Sequence, residues 1–263
     1  MSWFILFCIV GLVACVYTFF YEPEMITVKH YKIKDAELKG LKIVFVSDFH
    51  LKKYQTKRFK KIINLINEQN ADIVLSGGDY VALHNIDKTL SVETIAEGLS
   101  KIKSKYGFYT VLGNHDAGKA ETDILKAFEK YSIKTLINNN VIVNIGSENL
   151  YIAGVRDIQT GRPNIFKALA NTGNPVIFLT HNPDIYTVIP NNVNLILAGH
   201  THGGQVRLPF LGGIIVPSKY KNKYALGLIE EDNKKMLVTK GIGTSVLNVR
   251  FNCKPEIVVI DFE

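Results

Sequence analysis

Cysteine is nearly absent from this chain. Of three in all, Cys8 and Cys15 sit in one apolar N-terminal run, leaving Cys253 alone in the remainder. The globular part therefore has no internal disulfide and advertises no oxidising compartment. Internal repeats and low-complexity tracts are also missing, and Gly and Pro fall between periodic segments instead of collecting in a linker. A second large domain is not expected. The 263 residues, less an N-terminal segment, suffice for one α/β domain with a sizeable core.

Charge is missing from Trp3 to Tyr21, a run broken only by Gly11 and Thr18. Nineteen residues rise about 28 Å as a helix, close to a hydrocarbon core of roughly 30 Å. Trp3 at one end and Tyr17 and Tyr21 at the other suit the two interfaces. A single transmembrane anchor is expected, with the lipid bilayer as partner. No Lys or Arg precedes the run, so the basic n-region of a cleaved signal peptide is lacking. Lys29, Lys32, Lys34, Lys39 and Lys42 follow it, and the positive-inside rule then places the rest of the chain in the cytoplasm. A rival reading stays open. Leu12-Val13-Ala14-Cys15 has the form of a bacterial lipoprotein processing site, which would lipidate Cys15 and turn the domain outward. The missing basic n-region and the apolar Val16–Phe20 argue against it. The expected organisation is an anchor over 1–22, a juxtamembrane segment over 23–40 and a globular domain over 41–263.

The formal net charge is +7. Much of it is local, in Lys52, Lys53, Lys57, Arg58, Lys60 and Lys61, and again in Lys219, Lys221 and Lys223. No helix-turn-helix or aromatic-interleaved motif accompanies these clusters, so nucleic acid is not expected as a partner. Anionic head groups fit better because an apolar anchor precedes them. A solvated helix face explains the first cluster as readily.

Periodicity supplies a coarse order of elements. Leu41–Ser47, Ile73–Ser76 and Gly107–Leu112 read as strands, separated by helices over Thr56–Gln69 and Ser91–Ser104. Asn140–Ile145 and Asn149–Ala153 pair across Gly146-Ser147. Val176–Thr180 and Leu195–Ala198 are short apolar strands, Ala225–Glu230 and Lys235–Thr239 form a hairpin, and Ile257–Asp261 closes the fold. Alternation of this kind predicts a mixed or parallel sheet with helices outside.

Five of the seven histidines fall in short segments where apolar, β-branched runs end. The segments are Ser47-Asp48-Phe49-His50, Gly77-Gly78-Asp79, Gly113-Asn114-His115-Asp116, Thr180-His181-Asn182 and Gly199-His200-Thr201-His202. Strand ends are where α/β sheets build their sites. Imidazoles and carboxylates without thiolates suit a borderline-hard divalent metal such as Mn, Fe or Zn. Taken singly the bland readings hold: Asp48 caps a turn, Asp79 forms an Asx-turn, and His30 and His84 are core or surface residues. The ordered recurrence at strand ends is what sets the five segments apart.

In that order, the segments resemble the calcineurin-like metallophosphoesterases from about Leu41 to the C-terminus. Ala198-Gly-His-Thr-His-Gly-Gly-Gln205, Lys240-Gly-Ile-Gly-Thr244 and Arg250-Phe with Lys254-Pro-Glu256 resemble the membrane-anchored bacterial branch. The resemblance implies two facing mixed β-sheets flanked by helices, a metallophosphoesterase sandwich in the α/β class, here preceded by one transmembrane helix. It implies two divalent metals. Asp48, His50 and His202 would hold the first, Asn114, His181 and His200 the second, and Asp79 would bridge them. Water between two such metals has a lowered pKa and can attack phosphorus in line. His115 is assigned no metal in the pattern and would approach the substrate phosphate as proton donor or charge stabiliser. Asp116 would orient His115, or else cap a helix before Ala117-Gly118.

Two departures touch substrate shape without removing a ligand: Leu51-Lys52-Lys53 follows the first motif where a glycine is usual, and Tyr80 follows Asp79 where a smaller aliphatic residue is commoner. The reaction implied is hydrolysis of a phosphomonoester, phosphodiester or pyrophosphate. An enzyme anchored in the bacterial inner membrane meets lipid-linked substrates, and one role in the branch is cleavage of UDP-2,3-diacylglucosamine to lipid X and UMP in lipid A synthesis. An outward-facing general or cell-wall phosphodiesterase is the alternative, and a non-catalytic metal-binding scaffold a minor one. Arg156 and Arg207 are candidates for phosphate or head-group contacts, against surface or interstrand salt bridges. Leu208–Leu211 and Ile214–Pro217 could line an acyl groove or pack in the core.

Overall fold

The computed structural model describes residues 2–81 and 88–263, so His84 lies outside the described part. The chain builds a first sheet from β1 (Thr27–Ile33), β2 (Lys42–Val46), β3 (Ile73–Ser76), β4 (Phe108–Thr110) and β5 (Lys134–Thr135). A second sheet follows from β6 (Asn139–Ile145), β7 (Glu148–Gly154), β8 (Val176–Leu179) and β9 (Leu195–Ala198). After a short hairpin of β10 (Arg207–Leu208) and β11 (Gly212–Gly213), β12 (Gly227–Glu231) and β13 (Lys234–Val238) complete the second sheet. β14 (Glu256–Phe262) returns to the first. The orders are β1-β14-β2-β3-β4-β5 and β12-β13-β9-β8-β7-β6.

The period of two along each strand explains why the sheets face one another. Ile43 and Phe45 of β2, Leu75 of β3, Ile177 and Leu179 of β8, Leu195 and Leu197 of β9, and Val258 and Ile260 of β14 form one buried cluster between the sheets. The alternate residues Val44, Val46, Val74, Ile257 and Val259 pack outward against helices. Those helices are α2 (Thr56–Glu68), α3 (Val92–Leu99) and α4 (Lys119–Lys130), numbered after the N-terminal α1 (Ser2–Val16). On the far side, Phe178, Ile196 and Met236 pack with Ile185, Tyr186 and Ala168, the last from the short α5 (Ile165–Ala168). Strands buried on both faces read as continuous apolar runs, as β8 and β9 do.

The expected elements recur with shifted ends. The helix expected over Ser91–Ser104 stops at Leu99, where Lys101 N and Ile102 N turn back to the carbonyls of Gly98 and Leu99. Gly98 lets α3 approach α2, since a Cβ there would stand 2.2 Å from the Phe59 ring. α4 is an element beyond those expected; it buries Ala120, Ile124, Ala127 and Phe128 on one face. The stretch 23–40, expected as a juxtamembrane connector, contains β1, which pairs with β14 from Thr27↔Glu256 to Ile33↔Phe262.

α1 continues through Tyr17–Tyr21 to Glu24, and Trp3–Glu24 is long and apolar enough to cross a membrane by length and composition. Its side chains from Trp3 onward are largely exposed. Its end is docked on the domain. Arg250 N donates to Thr18 O, Asn248 Nδ2 to Phe19 O, and the buried Glu22 carboxylate accepts from Cys253 N.

Candidate metal centre

β2, β3 and β4 of one sheet and β8 and β9 of the other all end at the same edge. The loops that follow them carry the five histidine and carboxylate segments. Several of these residues adopt the left-handed conformation that non-glycine residues seldom take: Asp48 (φ 57), His50 (φ 41), Asp79 (φ 58), His200 (φ 70) and His202 (φ 50). Such turns let each loop fold back at once, so side chains from different strands converge. Gly113 makes room for the convergence, because a Cβ there would lie 2.1 Å from Asp79 Oδ1.

The first group joins Asp48, His50 and His202. His50 Nε2 and His202 Nε2 stand 3.0 Å apart, and Asp48 Oδ1 is 3.5 Å from His202 Nε2. The second joins Asn114, His181 and His200. Asn114 Oδ1 lies 3.0 Å from His181 Nε2 and 2.9 Å from His200 Nδ1, and these two nitrogens are 3.2 Å apart. Asp79 stands between the groups, its Oδ2 3.4 Å from His50 Nε2 and 3.3 Å from His181 Nε2. Asp48, His50, Asp79, His181 and His202 are all buried, and their ligand atoms fall into clusters able to hold a cation.

The donor set fits a metal on its own chemistry. Burial pushes His50 down to about 4, and burial with the neighbouring His181 does the same for His200. His202 is held well below the usual histidine range, chiefly by burial. Imidazoles kept neutral present lone pairs, and here Nε2 of His50 and Nε2 of His202 face each other at 3.0 Å. A cation satisfies such a cluster, whereas a proton can bridge only one pair. In the metal-free chain His181 is the exception. Burial opposes its charge, yet the facing Asp79 carboxylate holds it up to about 10. Asp79 is correspondingly held well below the carboxylate range despite its burial.

Among the five site histidines, His115 alone is half-buried. Its ring stands edge-on to His50 with centroids 4.8 Å apart, and its backbone N donates to Asp79 Oδ1. Its imidazole also falls in a cluster with His50 and Asp79. Asp116 is fully buried, and its carboxylate accepts from the backbone N–H of Asp79, Tyr80, Val81 and Gly113. It ties the Asp79 loop to the Gly113 loop. The helix after it, α4, starts beyond Gly118 and takes no side-chain cap.

The expected substrate arginines have protein partners. Arg156 pairs with Glu121 at 2.6 Å, and Arg207 donates to Gly203 O at 2.7 Å. His30 is exposed beside Asp261. Phe210, Leu211, Ile214 and Ile215 are exposed, which removes core packing as their explanation. Two residues beyond the expected set also shape the site. Gln159 Nε2 lies 3.2 Å from His200 Nε2, and the Gly77 carbonyl is 2.8 Å from His181 Nδ1. Gln159 carries no local sequence signal; Gly77 stands in the segment that delivers Asp79, but its contact with His181 runs across loops.

The family described as calcineurin-like phosphoesterase matches residues 41–204. The chain is similar to the uncharacterized metallophosphoesterase YkuE of Bacillus subtilis, 32% identical over 253 residues, covering 92% of this chain and 87% of that protein. It is also similar to the phosphodiesterase YaeI of Escherichia coli, 29% identical over 225 residues, 84% of this chain and 81% of that one. Among solved structures, the NAD nucleotidase of Haemophilus influenzae shares the fold with a TM-score of 0.51 at 16% identity, over 77% of this chain and 45% of that one.

Proposed function

Because the chain belongs to the calcineurin-like phosphoesterase family, and is thus a metal-dependent phosphoester hydrolase, we propose that two divalent metals are held by Asp48, His50 and His202 on one side and by Asn114, His181 and His200 on the other. Asp79 is then the shared ligand. The observation that carries this is the position of Asp79 Oδ2, within 3.4 Å of His50 and 3.3 Å of His181. When bound, the metals supply a nucleophile at neutral pH and neutralise charge on the phosphoryl oxygens. Asn114 contributes an oxygen without charge, which leaves the centre positive enough to attract an anionic phosphate. His115, half-buried at the rim, delivers an imidazole proton to the leaving oxygen. Asp116 keeps Asp79 in place through the backbone it holds.

The substrate reading follows from α1. A hydrolase anchored by one helix, with lysines after that helix, meets a lipid-linked phosphodiester or pyrophosphate on the cytoplasmic face of a bacterial inner membrane; UDP-2,3-diacylglucosamine has that chemistry. The similarity to a phosphodiesterase favours a second reading, a general or cell-wall phosphodiesterase facing outward. Hydrolysis of UDP-2,3-diacylglucosamine and of bis(p-nitrophenyl) phosphate by the detergent-purified chain, with added Mn and after chelation, separates them. Metal-dependent turnover of the lipid nucleotide well above the diester supports the first reading. Turnover of the diester alone supports the second, and turnover of neither removes both.

A further inference from the structure

Six large apolar side chains lie bare on segments tied to the end of α1. Phe210 is fully exposed, Ile215 78% and Val246 89%, with Leu211, Ile214 and Leu247 exposed beside them in sequence. The segments are bonded to one another. Gln205 exchanges hydrogen bonds with Ser245, Arg207 N donates to Phe251 O, and Ile214 N donates to Val206 O. The same loop is bonded to α1, through Arg250 N to Thr18 O and Asn248 Nδ2 to Phe19 O.

Two further features point to what these side chains meet. Val246 and Phe210 are held at φ 61 and φ 67, a conformation unfavourable for β-branched and bulky residues, with no burial to offset it. A basic segment also borders them. Asn222 bonds Gly213 through both its amide atoms and so ties exposed Lys219 and Lys221 to the hairpin, with Lys223, paired to Glu231, beside them. Apolar side chains rimmed by lysines match the boundary between acyl chains and anionic head groups.

We propose that Phe210, Leu211, Ile214, Ile215, Val246 and Leu247 form a second membrane contact, inserting at the head-group boundary beside the anchor. This rests on reading α1 as a membrane span. The metal centre is then held at the lipid surface, because His202 and the hairpin are linked by the short Gly203–Val206 segment, where Gly204 packs against Gly213 and Ile215. The substrate class narrows accordingly to phosphoesters whose scissile bond lies at the head-group level.

The test uses the full chain in nanodiscs of phosphatidylcholine and phosphatidylglycerol that carry a nitroxide-labelled lipid. A fluorophore is placed singly at native Cys8 with Cys15 replaced by alanine, or at Ile215→Cys, Val246→Cys or Ile142→Cys with Cys8 and Cys15 both replaced by alanine. Labels at 8, 215 and 246 are expected to lose emission, and the label on exposed Ile142 of β6 to keep it. Quenching at 8 without quenching at 215 and 246 overturns the second contact and leaves the anchor standing. No quenching at 8 removes the anchor, and the inference with it. As a second readout, Ile215→Ser with Val246→Ser is expected to keep turnover of soluble bis(p-nitrophenyl) phosphate and lose several-fold turnover of a phosphoester presented in vesicles. Equal turnover of both would count against the contact.

Discussion

Gln159 and His200 meet through the imidazole nitrogen that points away from the metal cluster: Gln159 Nε2 lies 3.2 Å from His200 Nε2, while His200 Nδ1 faces Asn114. For Nδ1 to face a metal, His200 Nε2 must carry the proton, and the Gln159 amide then turns its oxygen toward Nε2 to accept it. Outer partners of ligating histidines act in this way, by orienting the ring and setting its tautomer. Gln159→Leu is therefore expected to weaken metal binding about 10- to 100-fold. Elemental analysis after dialysis, together with thermal melting, checks it. Full metal content in a normally folded variant would refute the role.

Asp116 offers two oxygens to four backbone N–H groups. Burial, and then the charge of Asp79, push its pKa up to about 7, so the site already strains to keep it ionised. Asp116→Asn turns an NH2 toward N–H donors. It is expected to cost about 1–3 kcal/mol in stability, and to lower metal content by loosening Asp79. Denaturant unfolding and metal analysis measure the two effects.

His181 makes metal binding depend on pH. In the chelated chain its pKa is held up to about 10, so at pH 8 it carries a proton that a bound metal must displace. His50 and His200, near 4, carry none at that pH. Between about pH 7 and 10, above the range where Asp48 and Asp116 also take up protons, affinity is expected to rise by about tenfold per unit, with about one proton released from His181. Calorimetric titration of Mn in buffers of different ionisation heat reads the proton directly. Buffer-independent heats would rule out the His181–Asp79 pairing.

Gly113→Ala places a Cβ 2.1 Å from Asp79 Oδ1 and 2.7 Å from His181 Cε1, against the shared ligand and one of its histidines. Turnover of bis(p-nitrophenyl) phosphate is expected to fall at least about 100-fold, the scale on which a misplacement of about 1 Å acts. Near wild-type turnover would mean that Asp79 does not sit where the geometry places it.

Much of this architecture is legible in residue order. β3 has the expected bounds, and the Asp232-Asn233 turn joins β12 to β13, both residues at positive φ. The histidine and carboxylate segments stand out because their residue types are unusual after apolar strands. β1 hides because Lys29, His30 and Lys32 break its apolar pattern, and its pairing with β14 comes from the far end of the chain. The contacts of Asp116, and Gln159 altogether, hide for a different reason. Their partners are a backbone loop 35–37 residues away and a histidine 41 residues away, so no local pattern encodes the contact. Arg156 misleads in the opposite sense: Glu121, on a helix outside the expected elements, takes its charge.

The proposed ligand sets straddle the seam of the sandwich. Asp48, His50, Asp79 and Asn114 belong to loops of the first sheet, while His181, His200 and His202 belong to the second. Each proposed metal group draws on both sheets, so a bound cation would act as a clasp across the sandwich. Opening the layers requires releasing it. Free metal at about 100 times its dissociation constant adds about 2.7 kcal/mol per site to the closed form. Metal supply would then govern how long the protein survives as well as how fast it turns over.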